Sequence, residues 1–253
     1  MKLSFSAPFL DAGAAWRRDG AVLLPLAGLA FFLAPYAAQL LLPPLPTLPT
    51  TNDEAAARAW MAGMQAWAGR YGLFYLLSPL IALFGSLSIF TLYLTRERPT
   101  LGEAMARAVR LLPRYLLATI LVSLPMAGML MLATITPVLL VIAAGPIFYV
   151  YGRTMLMGPV IVAEAPVGAV AAITRSWALT AGHGWIAAAT YAAIFLVPGL
   201  IGSVLLSLAS AGGANPVILA IGAGLACLVA AGGALLLALV QVSLYRRLAQ
   251  VAR

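Results

Sequence analysis

Charged residues are scarce in this chain of 253 residues, where aspartate, glutamate, lysine and arginine together make up only 9%. A soluble domain carries about 25% of such residues and could not cover its surface with so few. Hydrophobic residues reach 63% of the chain, and the mean hydropathy is +1.02. We therefore expect the lipid bilayer to be the solvent for most of the protein.

Cysteine and histidine occur once each, as Cys227 and His183. A single cysteine excludes a disulfide within the chain and a cysteine metal centre, and Cys227 is predicted to be a small buried residue of an apolar run. The seven acidic residues are spread over different segments. The sequence also contains no zinc-protease, phosphate-loop or serine-hydrolase motif. These absences predict a protein without catalytic activity, metal or cofactor.

Long uncharged runs divide the chain into membrane spans, each needing about 20 apolar residues to cross a bilayer core of roughly 30 Å. The 38 residues between Arg114 and Arg153 would reach about 57 Å as one helix. They must therefore form two spans, and the 70 residues between Arg175 and Arg246 divide in the same way. The sequence predicts an all-α polytopic membrane protein, a single domain over 1–253, with six spans at 21–42, 71–94, 115–133, 137–157, 185–208 and 217–240.

The basic residues predict the orientation of these spans. Thirteen of the 15 lie in four segments that alternate spans bring to one side of the membrane, namely 1–20, 95–115, 153–183 and 241–253. Only Arg58 and Arg70 fall on the other side. The positive-inside rule then places both termini in the cytoplasm, and the arginine and alanine bias is typical of a bacterium, which indicates the inner membrane. Because the charges flank apolar runs, they indicate orientation signals and no nucleic-acid partner.

The last span carries small residues at four-residue spacing, at Ala226, Ala230 and Ala234, with Gly222 and Gly233 beside them. Small residues on one face let helix backbones approach closely. This pattern predicts a central, tightly packed helix. The alternative is that the small-residue face contacts a second copy of the chain or a protein partner.

The segment between the first two spans predicts a surface helix over 52–69. Thr51 followed by Glu54 fits a capping box, and Trp60 and Trp67 share one face of the helix. Tryptophan favours the membrane interface, so the helix is expected on the outer surface. A lid over a ligand is the alternative interpretation.

A second predicted surface helix, residues 99–115, begins with a capping box formed by Thr100 and Glu103. Arg107, Arg110 and Arg114 follow at three- and four-residue steps, on the side opposite an apolar stripe. Such a basic amphipathic helix is expected to lie at the interface and to contact anionic lipid headgroups, together with Arg96, Arg98 and Arg175. The alternative is a solvated face that only marks orientation.

The stretch GPVIVAEAPVGAVAAITRSWALTAGHGW, residues 158–185, contains the third such helix. Pro166 suits a first helical turn, and Glu164 lies just before the positive end of that helix. Arg175 is the expected partner of Glu164 or of a lipid phosphate. The predicted apolar stripe consists of Val167, Val170, Ile173 and Trp177.

His183 falls where this surface helix turns into the fifth span. A lone histidine there is expected to be a capping or interfacial group, although an active site is the competing interpretation. We predict a structural elbow formed by Glu164, Arg175, Trp177 and His183.

Three stretches look like copies of one structural unit, in which a surface helix leads into a hairpin of two spans. They are FLDAGAAW at 9–16, TLGEAMARA at 100–108 and PVGAVAAIT at 166–174. A threefold internal repeat is one interpretation. Chance similarity among alanine-rich helices is the other.

The elbow stretch resembles a motif of a bacterial family, the membrane domain associated with glycerophosphoryl diester phosphodiesterases. Pro159–Glu164 and the run RSWALTAGHGW from Arg175 carry the resemblance, and LGEAMARAVRLLPRY at 101–115 is also similar. The family includes many uncharacterised stand-alone inner-membrane proteins. The resemblance implies a six-span helical protein without catalysis, because the phosphodiesterase chemistry of two-domain members belongs to a separate soluble barrel.

The predicted spans contain no carboxylate or basic residue at mid-membrane, the usual mark of a proton- or ion-coupled transporter; Arg153 lies near the end of the fourth span. Hydroxyl groups such as Ser78 and Thr190 can bond within their own helices and need no substrate. We therefore expect an accessory or scaffolding membrane protein with anionic-lipid contacts. A transporter or lipid-handling protein is the alternative, since lipid substrates require little polar machinery.

Overall fold

The computed structural model describes residues 5–47, 49, 53–95, 97, 99–133, 137–211, 213 and 215–251. Throughout these ranges the regular structure is helical. The helices are α1 Ala7–Ala27, a π-helical segment Gly28–Leu33, α2 Ala34–Leu41, α3 Glu54–Leu94, α4 Leu101–Ala133, α5 Pro137–Thr154, α6 Met157–Ala163, α7 Ala169–Leu179, α8 Gly184–Ala211 and α9 Pro216–Val251.

Six of the helical stretches are long and apolar enough to cross a membrane, which confirms the all-α polytopic class. They are Ala7–Leu41, Glu54–Leu94, Leu101–Met131, Val141–Ala163, Gly184–Ala211 and Pro216–Gln250. Each predicted span overlaps one of them in order along the chain. The protein is a multi-pass integral membrane protein.

Large apolar side chains cover the outside of these helices. On α8 alone, Phe195, Val197, Leu200 and Val204 are each more than half exposed. A monomeric soluble protein rarely presents so continuous an apolar surface. The outside of the bundle is therefore a lipid-facing surface.

The predicted helix 52–69 is not a separate surface element, because it continues without a break into the second span as α3. No proline occurs in Glu54–Arg70 to stop it. Its 41 residues extend about 61 Å, so its first turns project well beyond a bilayer core of roughly 30 Å. Asp53 caps α3 by accepting a hydrogen bond from the amide of Ala55 at 3.1 Å. Thr51 lies outside the described residues.

The tryptophans of α3 bind the proline-rich segment that precedes it. The Trp60 indole donates to the carbonyl of Pro46 at 3.2 Å, and the Trp67 indole donates to the carbonyl of Pro43 at 3.1 Å. The carbonyls of Pro43 and Pro46 lie outside the helices and have no helical hydrogen-bond partner. These bonds therefore hold the extended segment along the first half of α3.

The predicted helix 99–115 likewise runs into its span as the continuous helix α4, and Pro113 does not end it. The capping box is present, because Thr100 N donates to Glu103 Oε2 at 2.8 Å and Glu103 N to Thr100 Oγ1 at 3.4 Å. Ala104 and Ala108 on its apolar side are fully buried. That side therefore packs against protein.

The N-terminal surface helix predicted around 9–16 is separated from the first span by a kink. Asp19 lies inside α1 with φ −116° and ψ 15°, outside the helical region. Residues before it pack against α9, and residues after it begin the first span.

α9 is the central helix, as its small residues predict. It packs against α1, the π-helical segment, α2, α3, α6, α7 and α8. A Cβ built at Gly222 would lie 2.4 Å from the Ala209 Cβ, and one at Gly233 would lie 2.7 Å from Pro198 Cγ. These close approaches place the small-residue face of α9 against α8, whereas Ala230 is exposed.

α5 and α8 cross at an even closer backbone approach. A Cβ built at Gly152 would lie 2.5 Å from both the amide nitrogen and the Cα of Ala188. A backbone contact of this kind cannot be relieved by turning a side chain. Glycine is therefore required at position 152 for this crossing.

Replacing Gly152 with alanine is expected to destabilise the protein by about 1–3 kcal/mol, because the added methyl overpacks the crossing. Gly145→Ala on the same helix is the matched control, since a Cβ there meets nothing within 4 Å. Thermal unfolding of both variants in detergent measures the difference. Equal midpoints for the two variants would contradict this crossing.

Candidate functional site

The buried guanidinium of Arg153 lies at the centre of the elbow. Arg153 is 7% exposed, near the end of α5. Its Nη1 donates to the carbonyl of Thr180 at 3.0 Å and its Nη2 to the carbonyl of Trp177 at 2.7 Å. Both acceptors belong to the C-terminal end of α7, where helix carbonyls lack intrahelical partners.

The environment of Arg153 suits a cation although no carboxylate contacts it in the described chain. The negative end of the α7 dipole faces the guanidinium. The Trp177 ring lies 4.7 Å from the guanidinium carbon and the Tyr149 ring 5.9 Å from it, and each cation–π contact contributes about 1–2 kcal/mol when desolvated. These interactions offset the cost of removing the charge from water.

Ser176 connects the same helix to the break between α5 and α6. Its hydroxyl donates to the carbonyl of Arg153 at 2.8 Å and accepts from the amide of Leu156 at 3.1 Å. The Thr180 hydroxyl also reaches the Arg153 carbonyl, at 3.3 Å. Side chains of α7 thus form hydrogen bonds with backbone groups that the break leaves unpaired. The Arg153 side chain in turn donates hydrogen bonds to the carbonyls at the end of α7. We call Arg153, Ser176, Trp177 and Thr180 the arginine joint.

The two glycines around His183 let the chain turn over the arginine joint. Gly182 has φ +77°, a left-handed conformation that favours glycine. A Cβ at Gly184 would lie 2.9 Å from the Tyr149 hydroxyl and 3.0 Å from Arg153 Cδ. The His183 carbonyl accepts from the Ala187 amide at 3.0 Å and so begins α8. Its buried Nδ1 has no hydrogen-bond partner among the described residues.

Glu164 and Arg175 form the ion pair that the sequence suggests, with Arg175 Nε 3.1 Å from both carboxylate oxygens. The Tyr245 hydroxyl donates to the same carboxylate at 3.1 Å. Glu164 thereby connects the end of α6 to α7 and α9. The pair is partly exposed, at 29% for Glu164 and 42% for Arg175.

Two details of the predicted third surface helix are wrong. α7 begins at Ala169 after Gly168, so Pro166 precedes the helix, and Glu164 instead follows the last residue of α6. The buried face of α7 carries Ala169, Ala172 and Ser176, which are small, and Leu179. Of the predicted stripe, Val170 and Trp177 are exposed, at 63% and 39%, whereas Val167 and Ile173 pack against the core.

The end of α9 carries a row of side chains that reach three other segments. Ser243 and Arg247, one turn apart, bind Asp11 on α1, with oxygen–oxygen and nitrogen–oxygen distances of 2.5 and 2.7 Å. Arg246 donates to the carbonyl of Tyr93 at the end of α3. Together with Tyr245 these residues define what we call the basic end of the bundle.

A cavity of about 690 Å³ opens at the basic end, between the ends of α3, α6 and α9 and the first turns of α4. Its cationic lining residues are Arg107, Arg110 and Arg246. Arg107 pairs with Glu97 at 2.7 Å. Of the predicted headgroup residues, Arg107 and Arg110 therefore share the cavity, whereas Arg114 and Arg175 are not among its lining residues. Arg96 and Arg98 lie outside the described residues.

All seven acidic side chains accept hydrogen bonds from other groups of the protein or form ion pairs with its arginines. By contrast, neither Arg110 nor Arg114 makes an ion pair with the described part of the chain. The basic end consequently holds positive charge that the protein does not neutralise.

Sequence reasoning missed Arg153 and Arg246 as site residues. Both had been counted only as charges that flank spans. The sequence signal for the arginine joint was the four-residue spacing of Ser176 and Thr180, together with Arg153, which interrupts an apolar run. The signal at the last helix was the consecutive Tyr245, Arg246 and Arg247.

Comparison with models of known protein families, with characterised proteins and with solved structures gives no match for this chain. The resemblance of the elbow stretch to the phosphodiesterase-associated membrane domain therefore stays a prediction.

Arg153→Gln is expected to lower stability by about 3 kcal/mol, because the carbonyls of Trp177 and Thr180 lose the N–H donors of the buried guanidinium. Arg153→Lys should not restore stability, since an ammonium group cannot reproduce the planar two-donor fork. Arg114→Gln, which removes an exposed arginine, is the matched control. Thermal unfolding in detergent measures all three variants. A stable Arg153→Lys protein would show that charge alone holds the joint.

Proposed function

We propose that this integral membrane protein is a non-catalytic accessory or scaffolding protein of the bacterial inner membrane that holds anionic lipid headgroups at its basic end. The cavity between α3, α4, α6 and α9 carries the proposal. It combines Arg107, Arg110 and Arg246 with apolar residues such as Leu94 and Leu111. Cationic and apolar groups side by side suit a lipid, which presents a phosphate and its acyl chains together.

The charge balance supports the same conclusion. An anion near Arg110 would meet an arginine that has no carboxylate partner in the described chain, while every acidic side chain nearby is already engaged. Each arginine near an anionic leaflet contributes roughly 1 kcal/mol of attraction. Arg114 and Arg175 would contribute at longer range, beyond the cavity itself.

The proposed orientation places the basic end in the cytoplasm, with both termini on that side. The contacts of Asp11 and Glu164 with α9 join three of the segments that the positive-inside rule assigns to the cytoplasm, and Tyr93 contacts Arg246 from the end of the second span. The resemblance of the elbow stretch to the phosphodiesterase-associated membrane domain supports a membrane role without chemistry of its own.

A lipid-handling protein is the second candidate function. A cavity of about 820 Å³ lies at the opposite end of the bundle, lined by the proline-rich segment and by residues of α2, α3, α8 and α9. Its lining is largely apolar, with Gln39 and Ser78 among the few polar side chains. Such a space suits an acyl chain. Observed exchange of lipid molecules through this cavity would favour the lipid-handling function.

Cysteine labelling tests the orientation. With Cys227→Ala as background, Ala59→Cys near the start of α3 should react with an impermeant thiol reagent in intact cells, because it lies on the outer side. Ala106→Cys on α4 should react only after the membrane is opened. Reversed labelling would overturn the proposed orientation.

Lipid retention tests the headgroup site. Arg110→Gln should reduce the amount of anionic lipid that co-purifies with the protein. The affinity for that lipid should fall about fivefold, because one unpaired charge is removed from the cavity. Arg58→Gln, near the start of α3 and outside the cavity, is the control and should retain the lipid. Mass spectrometry of lipid extracted per protein measures both. Equal retention of anionic and zwitterionic lipid by the wild-type protein would refute the proposed function.

A further inference from the structure

Two cavities at the basic end share a wall. The cavity of about 690 Å³ described above adjoins a second one of about 480 Å³. The second is lined by Arg18 and Asp19 on α1 and by residues at the end of α3. Tyr93, Thr95 and Arg246 line both. We call the pair the twin cavity.

Among the residues that the structure describes, the lining of the twin cavity carries a surplus of two positive charges. Its ionised lining residues are Arg18, Arg107, Arg110 and Arg246 against Asp19 and Glu97. Arg18 pairs with Asp19 at 2.8 Å and Arg107 with Glu97 at 2.7 Å. The surplus therefore resides on Arg110, inside the first cavity, and on Arg246, in the shared wall.

Arg246 is held in the wall by neutral groups. Its Nη2 donates to the carbonyl of Tyr93, and its guanidinium carbon lies 5.8 Å from the centre of the Tyr93 ring. The Tyr93 hydroxyl is fixed in turn by Asp19, to which it donates at 2.6 Å. A guanidinium has five N–H donors, so most of those of Arg246 are left for a ligand.

We propose that the twin cavity binds one lipid whose headgroup carries two phosphate groups, as cardiolipin does, with one phosphate in each cavity and Arg246 between them. This inference rests on the proposed function and specifies its ligand. Two phosphodiesters carry two negative charges, which equals the surplus on Arg110 and Arg246. Joining both phosphates in one molecule makes the second contact intramolecular, which raises affinity over two separate lipids.

The apolar residues around the twin cavity accommodate the rest of such a lipid. Leu94, Leu111 and Val162 line the first cavity, and Val22, Leu23 and Leu92 line the second. Acyl chains leaving either phosphate therefore meet apolar side chains of the bundle rather than further charges. Basic pockets between transmembrane helices are typical sites for headgroups of this kind.

Native mass spectrometry of the full chain, titrated with cardiolipin or with phosphatidylglycerol at equal total phosphate, tests this inference. The wild-type protein should bind one cardiolipin at least about fivefold more tightly than one phosphatidylglycerol, from one additional charge contact. Arg246→Gln should abolish that preference while phosphatidylglycerol still binds through Arg110. Arg58→Gln, which changes an exposed arginine near the start of α3 and outside both cavities, should keep the preference.

Equal affinity for the two lipids in the wild-type protein would overturn the inference while leaving the proposed function intact, and this comparison does not depend on any variant folding. Inorganic pyrophosphate, which has two phosphate groups but no acyl chains, tests whether the acyl chains are needed for binding. It should not displace bound cardiolipin at equal concentration. Displacement would assign the twin cavity to a soluble diphosphate instead of a lipid.

Discussion

The arrangement of the helices around the elbow depends on the contact between the Arg153 guanidinium and the last carbonyls of α7. This contact holds α7 against the break between α5 and α6, where the hydroxyl of Ser176 satisfies the Arg153 carbonyl and the Leu156 amide. With α7 in place, Arg175 reaches Glu164, and Glu164 receives Tyr245 of the central helix. The contacts that Glu164 makes at the basic end thus depend on the position of α7, which a single buried charge holds.

A buried cation without a carboxylate partner is costly unless dipoles replace its hydration. Here carbonyls replace the hydration of the two terminal nitrogens of Arg153, whereas its buried Nε has no hydrogen-bond partner among the described residues. Trp177 supplies both a carbonyl and a ring, and Thr180 supplies the second carbonyl. A carboxylate in their place would give an ion pair with its own desolvation cost, whereas a helix end already carries unpaired acceptors that require a donor.

The sequence predicted the six spans because span length and apolar content are set by the bilayer itself. It also predicted the Glu164–Arg175 pair and the capping of α4 by Thr100 and Glu103, which depend on local spacing. It did not predict that α3 and α4 continue through the interface as single helices, since nothing in an alanine-rich segment distinguishes a surface helix from an extended span. The roles of Arg153 and Arg246 were missed because both depend on segments far apart in the chain.

The preference for arginine over lysine explains how one residue can be both structural and free to bind. Fourteen of the 15 basic residues are arginine. Arg246 anchors itself to the Tyr93 carbonyl and ring and still presents unused donors to both cavities, which a lysine with one compact ammonium group would do poorly. Arg153 directs both terminal nitrogens of its fork to carbonyls of the protein. The difference between the two arginines is exposure: one fork is enclosed by α7 and aromatic rings, and the other opens into a cavity where the nearby carboxylates are already paired. In a chain with so few charges, this distinction separates the arginine that builds the fold from those proposed to bind lipid.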